Sequence, residues 1–479
     1  MATLNDLPLS LQSIIQQGYL ERRFMQALRA KLGFRTIADR EDFSGKIGET
    51  VTKTRVGLLA PVTTPMAPAQ VSDITSGLTP GQYAVEQYVL GIAQYANPLE
   101  LNVATSAVAI DDVFLQNAYV LGENSMRSVD TIARNALFDR YMGGNTRVTT
   151  TLGSAGTAVK VDDVRGFFQT LNSEGQVVSV SASNPLVVAF YVNNVITNTY
   201  TLVGVVADGV QPALNPWNAS LTFSGTGSNS STAPGGFSGT LTFSTNVTVA
   251  DGTAANSVVA ATAPLIMRPS TTAGLMASNT AAISASTQVN NAQLTMQMVL
   301  TAKATMASNA VPPVTATGNY VLFHDPLHAT GLYNDPEFQS FFRGQPQTQE
   351  YRQGVIATQL GVTFVETNQS FIQQLAGVGG SGNVRRAVLC GQGALVEGVF
   401  TRTAAAAQSA ASPSSGLITV VDDIMHITRP PLDVVQQVIT QSWAYIGGFT
   451  APTDTTCSPT TVATASNAAL KRAIILESL

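Results

Sequence analysis

Asp111-Asp112-Val113-Phe114-Leu115-Gln116-Asn117-Ala118 opens the stretch that decides how this 479-residue chain is built. Phe114, Ala118, Leu121, Val129, Ile132 and Ala136 recur at steps of three or four, with Ser125 filling one step, and predict one apolar stripe over about eight helical turns. Asp111 and Asp112 suit the positive end of such a helix, and Arg134 and Arg140 suit the other. Gly143-Gly144-Asn145 stops it.

Upstream, Leu11, Ile14, Ile15, Tyr19, Phe24, Leu28 and Leu32 predict a short helix over Leu11–Leu32, with Arg22, Arg23, Arg29 and Lys31 on its wet side. From Gly45 to Pro80 the chain is polar and proline-rich, with a β-type run at Thr50–Leu59 and little core. It reads as an extended arm or hairpin. Downstream the pattern changes to short extended runs, Leu186–Val192, Tyr200–Val206, Ser220–Phe223 and Gly239–Phe243, separated by Gly, Asn, Ser and Pro. That is the signature of a small all-β module over 147–270, with a low-complexity tip at Ser224–Gly239.

A second helix is expected from Asn291 to Asn309, with Leu294, Met298, Ala302 and Thr305 on one face and Pro312-Pro313 ending it. Strand and helix signals then alternate. Asn319–His324 is a strand, and Asp325-Pro326 starts a helix with Asp at the cap and Pro in the first turn. Gly361–Glu366 and Arg386–Cys390 are strands, and Gln392–Glu397 reads as a short helical piece. Leu417–Thr428 and Val434–Gly448 are β segments, and Leu470–Leu479 is a terminal strand. The whole is α+β.

Composition excludes several classes. The chain has 25 basic and 30 acidic side chains, a net charge of −5 and a charged fraction of 11%, under half the usual quarter. Residues 147–270 hold nine of these charges. A weakly acidic chain with no long basic run has no electrostatic footprint for tight nucleic-acid binding. No apolar stretch reaches the roughly 18 residues of a membrane span. Met1-Ala2-Thr3-Leu4-Asn5-Asp6 has no basic region leading into an apolar core, so no secretory signal is expected. With cytosolic synthesis, Cys390 and Cys457 are expected as free buried thiols, and the Asn-x-Ser/Thr sites at Asn218, Asn229, Asn246 and Asn368 as idle.

No catalytic pattern stands out. His324-Asp325-Pro326-Leu327-His328 places two His four apart, but Pro326 forbids a helix containing His324, so the two rings cannot share a metal. The expected role is a strand end turning into a helix cap. Gly45-Lys46 lacks the glycine five residues earlier and the Ser or Thr afterwards that a phosphate loop requires. Asp162-Asp163 and Asp422-Asp423 could act as acid and base or hold a cation; a turn or solvated edge is the simpler reading. No Gly-x-Ser-x-Gly elbow with suitable partners occurs. The expectation is no enzyme, no catalytic residue, no cofactor and no metal site.

The order of elements, together with several local stretches, resembles the tailed-bacteriophage major capsid (coat) proteins of podophage type, which have the Hong Kong 97-type fold. Gly48-Glu49-Thr50-Val51-Thr52-Lys53-Thr54-Arg55, Pro61-Val62-Thr63-Thr64-Pro65 and Gly77-Leu78-Thr79-Pro80 look like that family's arm, and Gln87-Tyr88 and Ala93-Gln94-Tyr95 like the strand returning from it. Pro312-Pro313, Asn319–Pro326, Asp335-Pro336-Glu337-Phe338, Gly361–Thr367 and Asp433–Gly448 continue the same order through the axial domain. The resemblance covers about 45–146 and 290–479. It implies an N-terminal arm and helix at 1–44, an extended β loop at 45–98, a peripheral domain with spine helix at 99–146, and a β-rich insertion domain at 147–270. The peripheral domain resumes with the second helix at 271–316, followed by the axial domain at 317–465 and a C-terminal strand at 466–479.

The resemblance further implies a structural subunit that self-assembles into hexamers and pentamers of an icosahedral head enclosing double-stranded DNA. The implied partners are a scaffolding protein during assembly, a portal at one vertex, a decoration protein, and packaged DNA contacted without sequence specificity; no membrane is involved. Assembly would take place in the host cytoplasm and the product would be the virion. Another virion structural protein, such as a tail, fibre or decoration subunit, is the alternative. An arm without its own core cannot offset its ordering entropy alone. Laid on a neighbour it would bury Val51, Val56, Leu58, Leu59 and Met66, the expected inter-subunit contacts.

Overall fold

A computed structural model describes residues 33–42, 50–56, 58–59, 61, 63, 85–102, 110–141, 143–161, 164, 166–171, 177–192, 195–207, 239–254, 256–260, 266–269, 276–277, 293–315, 318–343, 358–375, 382–399, 417–429, 438–452 and 471–478. The helix expected at Leu11–Leu32, the loop tip at Ser224–Gly239 apart from Gly239 itself, Asp162-Asp163, Gly45-Lys46 and Cys457 lie outside these residues. The architecture is α+β, with mixed sheets and few helices. The chain divides into two compact units. The first is Met1–Val51, Leu90–Ala136 and Leu395–Thr450; the second is Thr52–Val89, Leu137–Ala394 and Ala451–Leu479.

The first unit is a six-stranded sheet with the long helix against it. The helix, α1 (Ile110–Tyr141), matches its sequence signals at both ends. Its buried stripe is rotated from the expected one. Ala118, Leu121, Ser125, Val129, Ala133 and Leu137 are buried, while Ile132 and Ala136 are half-buried. Met126, Asp130, Phe138 and Tyr141 share the buried side. Leu121 and Val129 pack with Ile424, Trp443 and Tyr445 of the sheet. Each such burial stabilises by about 1.5–3 kcal/mol. Trp443 Nε1 and Asn97 Nδ2 both donate to Asn124 Oδ1, at 2.9 and 3.1 Å.

The sheet is organised by its longest strand, β23 (Val438–Thr450). Tyr445 lies opposite Tyr95 of β4 (Ala93–Asn102) and Ile424 of β22 (Ile424–Arg429). Gly447 lies opposite Ala93 of β4 and Val399 of β20 (Leu395–Val399). A strand has two edges, so β4 occupies one and β22 and β20 share the other in succession. Beyond them, β21 (Leu417–Val421) pairs with β22, and β1 (Ala38–Asp42) pairs parallel with β20. Two expectations change here. Gln392–Glu397 is not helical: Gly393 has φ +68°, a Cβ on Gly391 would lie 2.9 Å from the Pro312 oxygen, and Leu395 onward is strand. Leu417–Thr428 is two strands, folded back at Asp422-Asp423, whose φ of +50° and +65° make a two-residue hairpin turn of the primed type.

The second unit opens with a two-stranded ribbon, β2 (Thr50–Val56) with β3 (Val85–Gly91). Within 145–260 lies a six-stranded sheet of β5 (Asn145–Arg147), β12 (Ser257–Ala260), β9 (Leu186–Val192), β10 (Val195–Ala207), β11 (Gly239–Val247) and β6 (Gly156–Val161), in that order. A short ribbon, β7 (Gln169–Leu171) with β8 (Val177–Ser179), lies alongside in sequence. The module has its own core, in which Phe190, Tyr200 and Phe243 meet edge to face. It closes where it opens, with Ala260 N donating to Gly144 O at 2.7 Å and Asn145 opposite Val259. The exit therefore comes before β13 (Ile266–Pro269), which joins the other sheet of this unit.

That other sheet has eight strands: β14 (Met276–Ala277), β13, β24 (Ala473–Ser478), β19 (Gly382–Cys390), β15 (Tyr320–His324), β17 (Val362–Glu366) and β16 (Thr358–Gln359), with β18 (Phe371–Leu375) on β19. Three helices supply the rest of its core: α2 (Met296–Ser308), α3 (Pro326–Asn334) and α4 (Pro336–Arg343). Cys390 is buried in it, and burial pushes its thiol well above the usual range. Among the described residues no helix is long and apolar enough to cross a membrane.

One buried carboxylate ties this six-stranded module together. Asp251 accepts hydrogen bonds from Asn198 Nδ2 at 2.8 Å, Tyr200 OH at 2.6 Å and Thr248 Oγ1 at 2.8 Å, and from Thr197 Oγ1. Burial alone would raise its pKa; these bonds outweigh burial and hold it below the ordinary value. Asp251→Ala would strip one acceptor from four donors at a cost of about 2–4 kcal/mol. Hydrogen exchange on the full chain should then quicken in β10 and β11 while β15, β19 and β24 keep their protection, because the two cores are separate clusters.

Candidate functional site

The densest polar constellation lies in the first unit and begins with a glycine. Gly33 precedes a single 3-10 turn, Phe34–Ile37, closed by Thr36 Oγ1 on the Gly33 oxygen at 2.7 Å. A Cβ on Gly33 would lie 2.9 Å from Asp130 Oδ2, so only glycine lets that carboxylate approach the start of the turn. Asp130 Oδ1 accepts the Arg35 N–H at 3.2 Å, and the N–H groups of Phe34 and Gly33 also point to this carboxylate. Phe34, Arg35 and Ile37 of the turn are all buried.

Arg35 is buried, and its donors meet acceptors on three elements. Nε donates to Glu397 Oε1 of β20 at 2.9 Å, and Nη2 lies 2.7 Å from the same oxygen. Nη1 reaches Asp422 Oδ2 at 3.0 Å, and Nη2 donates to the Asp422 backbone oxygen at 3.1 Å. The guanidinium carbon stands 5.7 Å from the centre of the Tyr445 ring, whose hydroxyl donates to Glu397 Oε1 at 2.9 Å. Arg40, half-exposed on β1, adds Asp422 Oδ1 at 2.8 Å, Glu397 Oε2 at 3.4 Å and Asp423 Oδ2 at 3.6 Å.

The electrostatics follow from burial and pairing. Burial alone would lower the Arg35 pKa, but Glu397 and Asp422 outweigh it and raise it. Burial, then the charge on Glu397, pushes the Tyr445 phenol upward, so it stays a donor. Asp130 is raised to about 6 by burial, which its backbone hydrogen bonds and Arg134 only partly offset. Arg134 is lowered to about 10 by burial, against the pull of Asp130. Glu397 Oε2 is buried and makes no hydrogen bond among the described residues, its nearest cation there being Arg40 Nε at 3.4 Å.

The sequence singled out Asp422-Asp423 and read the pair as a turn or solvated edge. It is a turn, but the carboxylates face an arginine cluster rather than solvent alone. Arg35, Arg40, Asp130, Glu397 and Tyr445 were missed. Glu397 did leave a signal, as the lone acid in the apolar run Leu395-Val396-Glu397-Gly398-Val399, all of it buried. An acid in such a run must find a cation somewhere else in the chain.

His324 and His328 take the cap role expected of them. Asp325 caps α3, accepting from Leu327 N at 3.3 Å, and His328 Nδ1 accepts the Asp325 N–H at 3.1 Å, standing where a capping box has Glu or Gln. Arg385 Nη1 lies 2.5 Å from Asp325 Oδ2. Burial, then His324 and Arg385, lowers His328 to about 3.

The expected contact residues of the arm fall in or just beyond β2. Val51 is half-buried; Val56, Leu58 and Leu59 are 59%, 59% and 55% exposed; Met66 lies outside the described residues. Sequence reasoning missed the anchor beneath them. Arg55 Nη2 donates to the Gly393 oxygen at 2.5 Å, and the Arg55 guanidinium stands over the Tyr88 ring at 6.0 Å. The ribbon is tied down at Arg55, and the next apolar side chains face outward.

No family model and no curated protein matches the chain. Among solved structures it is similar to the capsid asymmetric unit of cyanophage Pam1, at 14% identity over 95% of this chain and 91% of that one, with a TM-score of 0.44. It is likewise similar to the capsid of Ralstonia phage GP4, at 12% identity over 94% and 89% with a TM-score of 0.44, and to that of cyanophage P-SCSP1u, at 11% over 94% and 88% with a TM-score of 0.43.

Two titrations separate the sites. Asp130 in the fold holds its proton up to about pH 6 against an ordinary 3.8, so the folded state binds an extra proton between those values and its stability rises as pH falls across them. Asp130→Asn should remove a slope of up to about 1.4 kcal/mol per pH unit from protection of the first unit. His328 has the opposite sign: its folded value lies below 6.5, so its contribution is full above 6.5 and is lost progressively toward pH 3. His328→Gln keeps the cap hydrogen bond and should flatten that loss, read by hydrogen exchange at α3.

Proposed function

We propose that this chain is the major structural subunit of a tailed-bacteriophage head, assembling through copies of itself into the hexamers and pentamers of an icosahedral shell around double-stranded DNA. The observation that carries the reading is the arm. A ribbon anchored by Arg55 presents Val56, Leu58 and Leu59 to solvent. Ordering such a segment costs about 1–2 kcal/mol per residue in backbone entropy alone. Burial against an identical neighbour would offset that cost, and closed symmetry would repeat the contact at every position of a shell.

The remaining elements suit the same purpose. Under this reading α1 is the spine, the arm is the extended loop of the Hong Kong 97-type layout, and the insertion is a separately cored outer module. The parts at 99–146 and 271–316 form the peripheral domain and 317–465 the axial one. The weak net negative charge suits a wall that encloses DNA without gripping it. A scaffolding protein during assembly, a portal at one vertex and a decoration protein on the outer face complete the proposed partners, with the host cytoplasm as the place of assembly and the virion as the destination.

Leu58→Asp with Leu59→Asp places two charges on the exposed run without touching Arg55 or either core. The double variant should stay soluble and folded by circular dichroism yet yield no closed particles by negative-stain microscopy, where the unmodified chain yields shells. Normal shells from the variant would overturn the arm's role. Rods or isolated trimers from the unmodified chain would favour a tail or fibre subunit instead.

A further inference from the structure

The pocket that receives Arg35 contains no residue from the segment that fills it. Asp130 comes from α1, Glu397 from β20, Asp422 and Asp423 from the β21–β22 turn, and Tyr445 from β23. Among the described residues, the cations that meet Glu397, Asp422 and Asp423 are Arg35 and Arg40, and both belong to Gly33–Asp42. The match extends along the backbone. Ala38 to Asp42 runs parallel to Leu395 to Val399, one residue opposite the next, without a slip.

No short connection ties this segment to its own pocket. The partner of Arg35 nearest in sequence is Asp130, 95 residues away, and Glu397 is 362 residues away. The pairing with β20 is parallel, so no hairpin enforces it, and β1 lies at the edge of the sheet. The segment therefore docks as an added strand does, with main-chain pairing supplying affinity and one buried side chain supplying selectivity. Arginine is the side chain that suits it. A guanidinium can satisfy Glu397 and Asp422 at once through a planar fork, which an ammonium cannot.

We propose that this socket recognises the Gly33–Asp42 segment as a ligand in its own right, whichever copy of the chain supplies it, so that two copies can exchange these segments reciprocally. The ligand class is an extended peptide carrying one buried arginine and a second arginine five residues on. Every copy carries both the segment and the socket, so exchange is isologous and needs no new contact surface. The inference stands on the socket alone and holds whether or not the chain builds a shell.

Complementation between two full-length variants tests it. Arg35→Met spoils the segment and spares the socket; Glu397→Gln with Asp422→Asn spoils the socket and spares the segment. Alone, each should lose amide protection at residues 38–42 by at least about 100-fold while β4, β22 and β23 stay protected. Mixed, the intact segment of the second variant should enter the intact socket of the first. Protection should return at β20 and at the Asp422-Asp423 turn of the Arg35→Met copies, and a one-to-one heterodimer should appear by native mass spectrometry. If Arg35→Met loses protection throughout the first unit, Arg35→Lys, which keeps the charge but not the fork, takes its place. Absence of repair and of a heterodimer in the mixture overturns the proposal. So does loss of the whole unit in both Arg35 variants, since the socket would then not exist without its own segment.

Discussion

A guanidinium taken out of water is tolerable only when its donors find acceptors and its charge finds partners, and Arg35 meets both conditions with groups drawn from across the chain. Removing Glu397 would leave a buried cation short of its main partner; removing Arg35 would leave Glu397 with Tyr445 and the longer reach to Arg40. A buried pair of this kind is weak evidence for net stability, because desolvation offsets most of the attraction. Its effect is to forbid alternatives. The turn before β1, the register of β1 on β20 and the position of the Asp422-Asp423 turn are tied to one another through two arginine side chains.

The sheet explains why ties are needed there. β23 is long enough to carry two successive partners on one edge, β22 and then β20. Where one neighbour gives way to the next, the backbone ladder has a seam. The Asp422-Asp423 turn marks the end of one neighbour and β20 the start of the other, and Arg35 and Arg40 bridge them. Side-chain ion pairs span the seam that backbone hydrogen bonds leave. The left-handed turn is what aims the two carboxylates at it.

How much of this could be read from the sequence depends on the range of the interaction. Local signals were legible: the stop at Gly143-Gly144, the Asp325-Pro326 start of α3, the two-residue periodicity of β9 and β11. Errors arose where a distant partner overrides local preference. Gln392–Glu397 has side chains acceptable in a helix, yet Gly391 and Gly393 and two sheet neighbours make it a turn and a strand. The burial of Asp130 on α1 was not legible, because its partner Arg35 lies before β1, outside any helical window. The β-type run at Thr50–Leu59 was legible; the anchor within it was not, because Arg55 meets Gly393 across 338 residues. Glu397 was visible as an anomaly, but nothing local named Arg35 as its counterion.

The 362 residues between Arg35 and Glu397 also have a meaning in time. A ribosome adding about 5–20 residues per second leaves the finished Arg35 segment waiting roughly 20–70 s before Glu397 exists. Through that interval the whole second-unit sheet up to β19, and the six-stranded module at 145–260 with it, is synthesised and free to fold. The arginine that locks the first unit is thus among its earliest residues to be made and among its last to be placed. On a polysome, where several nascent chains lie close together, the interval is also the period in which a neighbour's segment is within reach.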